Sequence, residues 1–216
     1  MLRRIIFDVD NTLIKWKSIY DKTYEYALDE LGIKYTKDEL NKVIEAICTY
    51  EDYYDYFDKE NMVKLVCEKS NLNIPNTFVD VWMKYLSDCY DEDDKEALDT
   101  LKYLSNKYEL VILSNWFSYS QIKRLEALDM TKYFKDMIFT DTVKNKPNKE
   151  AFIKACASLN PSECLMIGDN FKVDIEGAIN AGLNAILYDP NNKIDYKNKI
   201  KDLKELEELL WNFMMN

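Results

Sequence analysis

A chain of 216 residues, 47% hydrophobic and 31% charged, has the composition of an ordinary globular protein and can bury a substantial core, as one large domain or as a domain with an insertion. Its 39 acidic and 29 basic side chains give a formal net charge of −10, which argues against a nucleic-acid or anionic-membrane surface, and no apolar run is long enough to span a bilayer. The absence of histidine removes His-based triads, phosphohistidine chemistry and imidazole-bound zinc, so catalysis would have to run on carboxylates, lysines, hydroxyls, a cysteine or a bound metal.

Residues 4–9 read as a buried strand that runs into Asp8 and Asp10. From about 16 to 91 the pattern is helical. Tyr20, Tyr24, Ala27, Leu28 and Leu31 recur at helical spacing before Gly32, and Thr36 with Glu39 forms a capping box ahead of Leu40 to Ile47. Met62, Leu65 and Val66 predict a third helix, and Pro75 is placed to open a fourth carrying Phe78, Val79, Trp82 and Leu86. After about residue 92 helices and strands alternate. LKYLSNKY precedes the apolar run 110–113, a helix starts at Ser118, DMIFT reads as a strand and Pro147 opens the next helix. CLMIGD, a helix ending near Gly182, AILYD and an amphipathic helix over 203–213 complete the chain. Alternation of this kind predicts an α/β fold with a doubly wound parallel sheet, a Rossmann-like core of residues 1–15 plus 92–216, into which an all-helical segment, 16–91, is inserted.

The N-terminal apolar run is too short for a signal peptide and is interrupted by aspartates. Five cysteines (48, 67, 89, 156, 164) without CxxC spacing read as reduced, core-filling thiols, and the expected compartment is the cytoplasm.

Ligands of open parallel sheets bind beyond the carboxyl ends of the strands. Asp8 and Asp10 end the first strand, Ser114 and Asn115 the second, Lys146 follows the third, Gly168 and Asp169 end the fourth, and Asp174 begins the helix after it. Each has a plain structural alternative. Ser114 can be loop, with Ser118 and Gln121 as the capping box of the next helix. Lys146 can be one of 29 cations, and Asp174 a helix N-terminal acid. Their joint placement on one rim argues for a site.

DVDNTL (8–13), SN (114–115), KP (146–147) and GDNFKVD (168–174), in this order, resemble the haloacid dehalogenase-like hydrolase superfamily, and the helical stretch after the first motif resembles its cap domain. Asn11 stands where the family often has glycine, and either residue tolerates a left-handed backbone. The resemblance implies a phosphatase in which Asp8 attacks phosphorus and Asp10 is the general acid and base. Ser114, Asn115 and Lys146 would bind the transferring phosphate, and Thr12 would support the first loop. Asp8, Asp169 and Asp174 bring three negative charges that Lys146 alone cannot offset, so a divalent cation is needed, and an oxygen ligand set suits Mg2+. By resemblance its ligands are Asp8, the Asp10 carbonyl and Asp169, with Asp174 in the outer shell or near Lys146.

Asp10 argues against the dehalogenase and phosphonate-cleaving branches, which replace it, and the lack of membrane helices against ion pumps. A phosphomutase, or a binding protein that has kept the fold, stays open. The expected partner is a small phosphorylated metabolite. Trp16 and Trp116 can line the entrance or pack between core and cap, with neither role favoured. The stretch YEDYYDYFD (50–58) is read as helix packing and a solvated turn in preference to a specificity loop.

Overall fold

In the computed structural model the described residues are 1–15, 17 and 19–215, the last five by their backbone alone. The apolar segments become β1 (Arg4–Phe7), β2 (Glu109–Ser114), β3 (Asp136–Phe139), β4 (Cys164–Gly168), β5 (Asn184–Tyr188) and β6 (Lys199–Ile200), which pair in parallel in the order β3-β2-β1-β4-β5-β6. The sixth strand is two residues long and carries no readable alternation, so the sequence did not announce it. The first strand stops at Phe7 rather than residue 9, because the amides of Thr12, Leu13 and Ile14 all turn back onto the Val9 carbonyl (3.3, 2.9 and 3.0 Å).

Between β1 and β2 lie α1 (Tyr20–Glu30), α2 (Lys37–Tyr53), α3 (Lys59–Ser70) and α4 (Phe78–Leu86). The Thr36–Glu39 capping box is formed, and Gly32, at φ 68°, ends α1 with the paired bonds Gly32 N–H to Asp29 O and Ile33 N–H to Leu28 O. Pro75 stands three residues before α4 and accepts a bond from the Phe78 amide, so it makes the turn that precedes the helix rather than its first residue. These helices bury their own cluster, in which Leu28, Ile47, Val66, Phe78 and Trp82 are packed, and the Trp82 indole donates to Thr23 Oγ1 at 2.8 Å. Phe117, from the loop after β2, is buried in the same cluster.

The later helices are α5 (Leu98–Ser105), α6 (Ser118–Ala127), α7 (Lys149–Cys156), α8 (Gly177–Ala181) and α9 (Glu205–Met215). Strand periodicity sends Ile5, Phe7, Leu110, Ile112, Leu165 and Ile167 to one face of the sheet, against Leu101, Leu125 and Leu206. Ile6, Val111, Leu113 and Met166 go to the other, against Phe152, Ala155 and Ala178. Both faces are covered, as a parallel sheet requires. The helix predicted to open at Pro147 begins at Lys149, where Asn148 caps it by accepting from the Glu150 amide.

Candidate active site

β1 is central, and its exit is held from both sides. The Asp8 amide donates to Ile167 O at 2.9 Å, which sets Asp8 beside the end of β4. The loop that follows closes around the Val9 carbonyl with Asn11 in the left-handed region at φ 58°, a conformation asparagine tolerates. Thr12 Oγ1 reaches Asp8 Oδ2 at 3.4 Å.

Lys146 arrives from the loop after β3 and is almost fully buried. Its ammonium donates to Asp8 Oδ1 and to Asp174 Oδ1, each at 2.6 Å. Asn115 fixes that lysine through its main chain, donating from Nδ2 to Lys146 O and accepting from Lys146 N–H, both at 2.7 Å. The amide expected to hold phosphate is therefore turned onto the lysine loop. The other oxygen of Asp174 accepts from the Asn170 amide at 3.1 Å. Asp174 lies in the first turn of a π-helical segment, Phe171–Glu176, so it is a helix N-terminal acid and in addition the ion-pair partner of Lys146. Gly168 is needed for close approach: a Cβ there would stand 2.3 Å from Asp174 Oδ2. Its neighbour in function, Gly182, ends α8 at φ 93°, as a C-terminal glycine should.

Ser118 and Gln121 do not form a capping box. Phe117 occupies the cap position without a side-chain bond, and Ser118 donates to Asp141 through both its amide and its hydroxyl. Gln121 instead turns inward, donating from Nε2 to Asp10 Oδ2 at 2.6 Å and to Ser114 Oγ at 3.0 Å. One turn on, buried Arg124 donates to Asp10 Oδ1 at 2.8 Å and lies 5.3 Å from the centroid of the Tyr20 ring. The sequence reading missed Gln121, Arg124 and Tyr20. The signal was present: Gln121 and Arg124 share one helix face with Leu125 and Leu128, both fully buried.

Oxygens of Asp8, Asp169 and Asp174 all lie within 4.8 Å of one another. Burial, set against the attraction of Lys146 and joined by repulsion from Asp174 and Asp10, holds the Asp8 carboxyl well above its usual range. Burial and then Asp174 push Asp169 up to about 6. Although burial opposes its charge, Asp174 and Asp8 keep Lys146 protonated above the ordinary lysine range. The raised Asp8 and Asp169 carboxyls, beside Asp174 and a single buried ammonium, mark a shortage of positive charge. That deficit of positive charge, with an all-oxygen donor set, fits a hard divalent cation such as Mg2+.

The carboxylates open into a cavity of about 340 Å3, large enough for a small metabolite. The segment between β1 and β2 also lines it, through Glu51, Asp52, Phe57 and Trp82 among others. Trp116 lines it as well, edge-on to Phe57 (5.5 Å) and Trp82 (5.4 Å), so it both packs and lines. The stretch 50–58 does more than pack. Besides lining the cavity, it joins the loop beside Lys146 through Phe57 N–H to Thr140 O (3.2 Å) and Asn145 N–H to Asp55 O (2.8 Å). Trp16 lies outside the described residues.

The sequence profile of haloacid dehalogenase-like hydrolases matches residues 5–188. The chain belongs to that family. As a haloacid dehalogenase-like hydrolase it is similar to the phosphorylated carbohydrates phosphatase of Thermotoga maritima, 26% identical over 195 residues, covering 86% of this chain and 84% of the relative. It is also 26% identical to the glyceraldehyde 3-phosphate phosphatase of Methanothermobacter thermautotrophicus, over 97% of this chain and all of the relative. Among solved structures, the magnesium-bound HAD-hydrolase YfnB of Bacillus subtilis superposes with a TM-score of 0.73 at 22% identity, over 97% of this chain and 98% of that one. This last likeness is one of fold: a parallel sheet with helices on both faces. Among the described residues no helix is long and apolar enough to cross a membrane.

Proposed function

We propose that this hydrolase is a Mg2+-dependent phosphatase that removes phosphate from small phosphorylated metabolites through an aspartyl phosphate on Asp8. It is a phosphoric monoester hydrolase, in keeping with the relatives named as phosphatases over most of the chain. The observation that carries the reading is the cluster of Asp8, Asp169 and Asp174, two of them paired with buried Lys146, on the wall of a cavity that Asp10 also lines.

An Asp8 oxygen attacks phosphorus while the bond to the leaving oxygen breaks, and Asp10 gives that oxygen a proton. Asp10 then takes a proton from a water, which attacks the acyl phosphate and releases Asp8 and inorganic phosphate. Gln121 and Arg124 orient Asp10, and Gln121 also aims Ser114, which with Lys146 holds the equatorial oxygens. Asn115 serves this step by fixing Lys146. Mg2+, held by Asp8, Asp169 and the Asp10 carbonyl, would supply the missing positive charge on the phosphoryl oxygens. The prior bonds of Asp174 to Lys146 and Asn170 favour an outer-shell place for it.

Residues 1–15 and 92–216 form the catalytic core in this reading, and 16–91 a cap that excludes water and admits substrate. Interdomain movement described for the magnesium-bound Bacillus relative agrees with such a cap. Five free cysteines agree with a cytoplasmic enzyme. The test is turnover of p-nitrophenyl phosphate: Mg2+-dependent in the natural sequence and abolished in Asp8→Asn without loss of fold. Normal turnover by Asp8→Asn would overturn the mechanism.

A further inference from the structure

The cavity must also receive whatever leaves with the ester oxygen, and the charges on its wall are unevenly matched. The two buried cations on its wall are already committed, Lys146 to Asp8 and Asp174, and Arg124 to Asp10. Glu51 is not. It sits near the end of α2, two turns after Val43 and one after Ile47, both fully buried, so helical spacing turns it to the packed face. It lines the cavity and is partly buried there, yet among the described residues no donor reaches its carboxyl. Asp52 lines the same region without an ion pair among those residues. Trp82, Trp116 and Tyr24 supply apolar faces alongside.

An acid facing a cavity without a donor is matched by a ligand that brings one. We infer that Glu51 is a specificity-determining residue that accepts hydrogen bonds from the hydroxyl or ammonium groups of the leaving alcohol and rejects leaving groups that carry a second negative charge. This rests on the phosphatase reading above and names its substrate class: monophosphates of neutral polyols or amino alcohols, in preference to bisphosphates and carboxylated sugars. Burial, followed by the charges of Asp52 and Asp10, pushes the Glu51 carboxyl up to about 7, and a hydroxyl or ammonium donor brought by the ligand would favour the charged form that repels a second anion.

The test measures kcat/KM with Mg2+ for fructose 6-phosphate against fructose 1,6-bisphosphate, ribulose 5-phosphate against ribulose 1,5-bisphosphate, and O-phosphoethanolamine, with p-nitrophenyl phosphate as reference. Ratios are formed within each protein, so a general loss of activity cancels. The natural sequence should favour the monophosphate of a pair by about tenfold or more, the weight of one hydrogen bond to a charged group. That ratio should fall at least about tenfold in Glu51→Lys and by a smaller factor in Glu51→Gln, which also keeps the test open should the charge reversal fail to fold. Exposed Glu45 on the same helix is the control, and Glu45→Gln should leave the ratio alone. The larger loss in Glu51→Gln, on the sugar phosphates or on O-phosphoethanolamine, identifies the donor as hydroxyl or ammonium. Equal use of monophosphate and bisphosphate, ratios unmoved by both substitutions, or no turnover of any of the monophosphates would overturn the inference while p-nitrophenyl phosphate turnover left the phosphatase reading standing. Absence of aryl phosphatase activity would remove both.

Discussion

Replacing Lys146 by alanine tests the electrostatics of the site without any substrate. Lys146 is 2% exposed, and its ammonium lies 2.6 Å from both Asp8 and Asp174. Removing one partner from a buried ion pair costs about 3–5 kcal/mol, because the remaining charge is left without compensation. Here the molecule has a way to respond. Burial already raises the Asp8 carboxyl, and without Lys146 it rises further, so a proton can take the place of the cation. The sign follows from linkage. A carboxyl whose pKa is higher folded than unfolded makes the native state bind more protons, so stability falls as pH rises towards the folded value. Each unit over which one such group protonates restores up to about 1.4 kcal/mol. The deficit of Lys146→Ala relative to the natural sequence should therefore be greater at pH 8 than at pH 6. At about 2–4 °C per kcal/mol for a chain of this size, Tm in EDTA should drop by about 6–20 °C at pH 8. Circular dichroism melts at both pH values, with and without Mg2+, provide the measurement, and Mg2+ should return part of the stability but not the activity. A loss below about 3 °C at pH 8, or the same loss at both pH values, would refute the argument.

EDTA should abolish turnover and Mg2+ restore it, with Ca2+ a poor substitute because it relaxes octahedral geometry; Asp169→Asn should raise the Mg2+ concentration needed for half-maximal rate. Since Asp169 titrates near 6, Mg2+ binding followed by calorimetry should weaken as pH falls below that value, and an affinity flat from pH 7.5 to 5 would contradict the ligand assignment. Gly168→Ala should lower kcat by about tenfold or more, because its Cβ displaces Asp174, whereas Gly182→Ala should cost only about 1 kcal/mol of stability, read from urea melts, with kcat retained. Arg124→Met should lower kcat more than it raises KM, since it frees Asp10 without touching the phosphate; the opposite split would make Arg124 a substrate-binding residue.

The sheet was legible because its strands are continuous apolar runs, and the rim because each run ends in polar residues of distinctive type. Pairing partners were also readable in part: the Asp8, Lys146 and Asp174 association follows once the strand ends are known to share an edge. What failed was the reading of polar residues inside helices. Ser-x-x-Gln is a common capping signature, yet the Gln121 side chain satisfies Asp10 and Ser114, while Asp141 takes the exposed amide of Ser118. Glu51 falls in an acidic, aromatic stretch, 50–58, that reads as helix packing followed by a solvated turn. Its phase with Val43 and Ile47 was the better guide, since an acid on an apolar stripe is unexplained until the cavity is seen. Asn115 was placed correctly at a strand end, but nothing in a sequence says which way an amide turns.

The central position of β1 carries a consequence for synthesis. Asp8, the proposed nucleophile, is made among the first residues, yet its strand pairs with β2 across 105 residues and Lys146 is 138 residues further on. The inserted helices, by contrast, close their cluster within residues 20–89 and Phe117, through contacts that are mostly local. Local contacts form early and distant strand pairs late, so a nascent chain should order its helical segment while Asp8 still waits for β4. Hydrogen exchange during refolding should show α1–α4 protected before β1. For most of its synthesis the carboxylate that would take phosphate from metabolites is therefore without its site: Lys146 is added at about two-thirds of the 216 residues, and Asp169 and Asp174 only at about four-fifths.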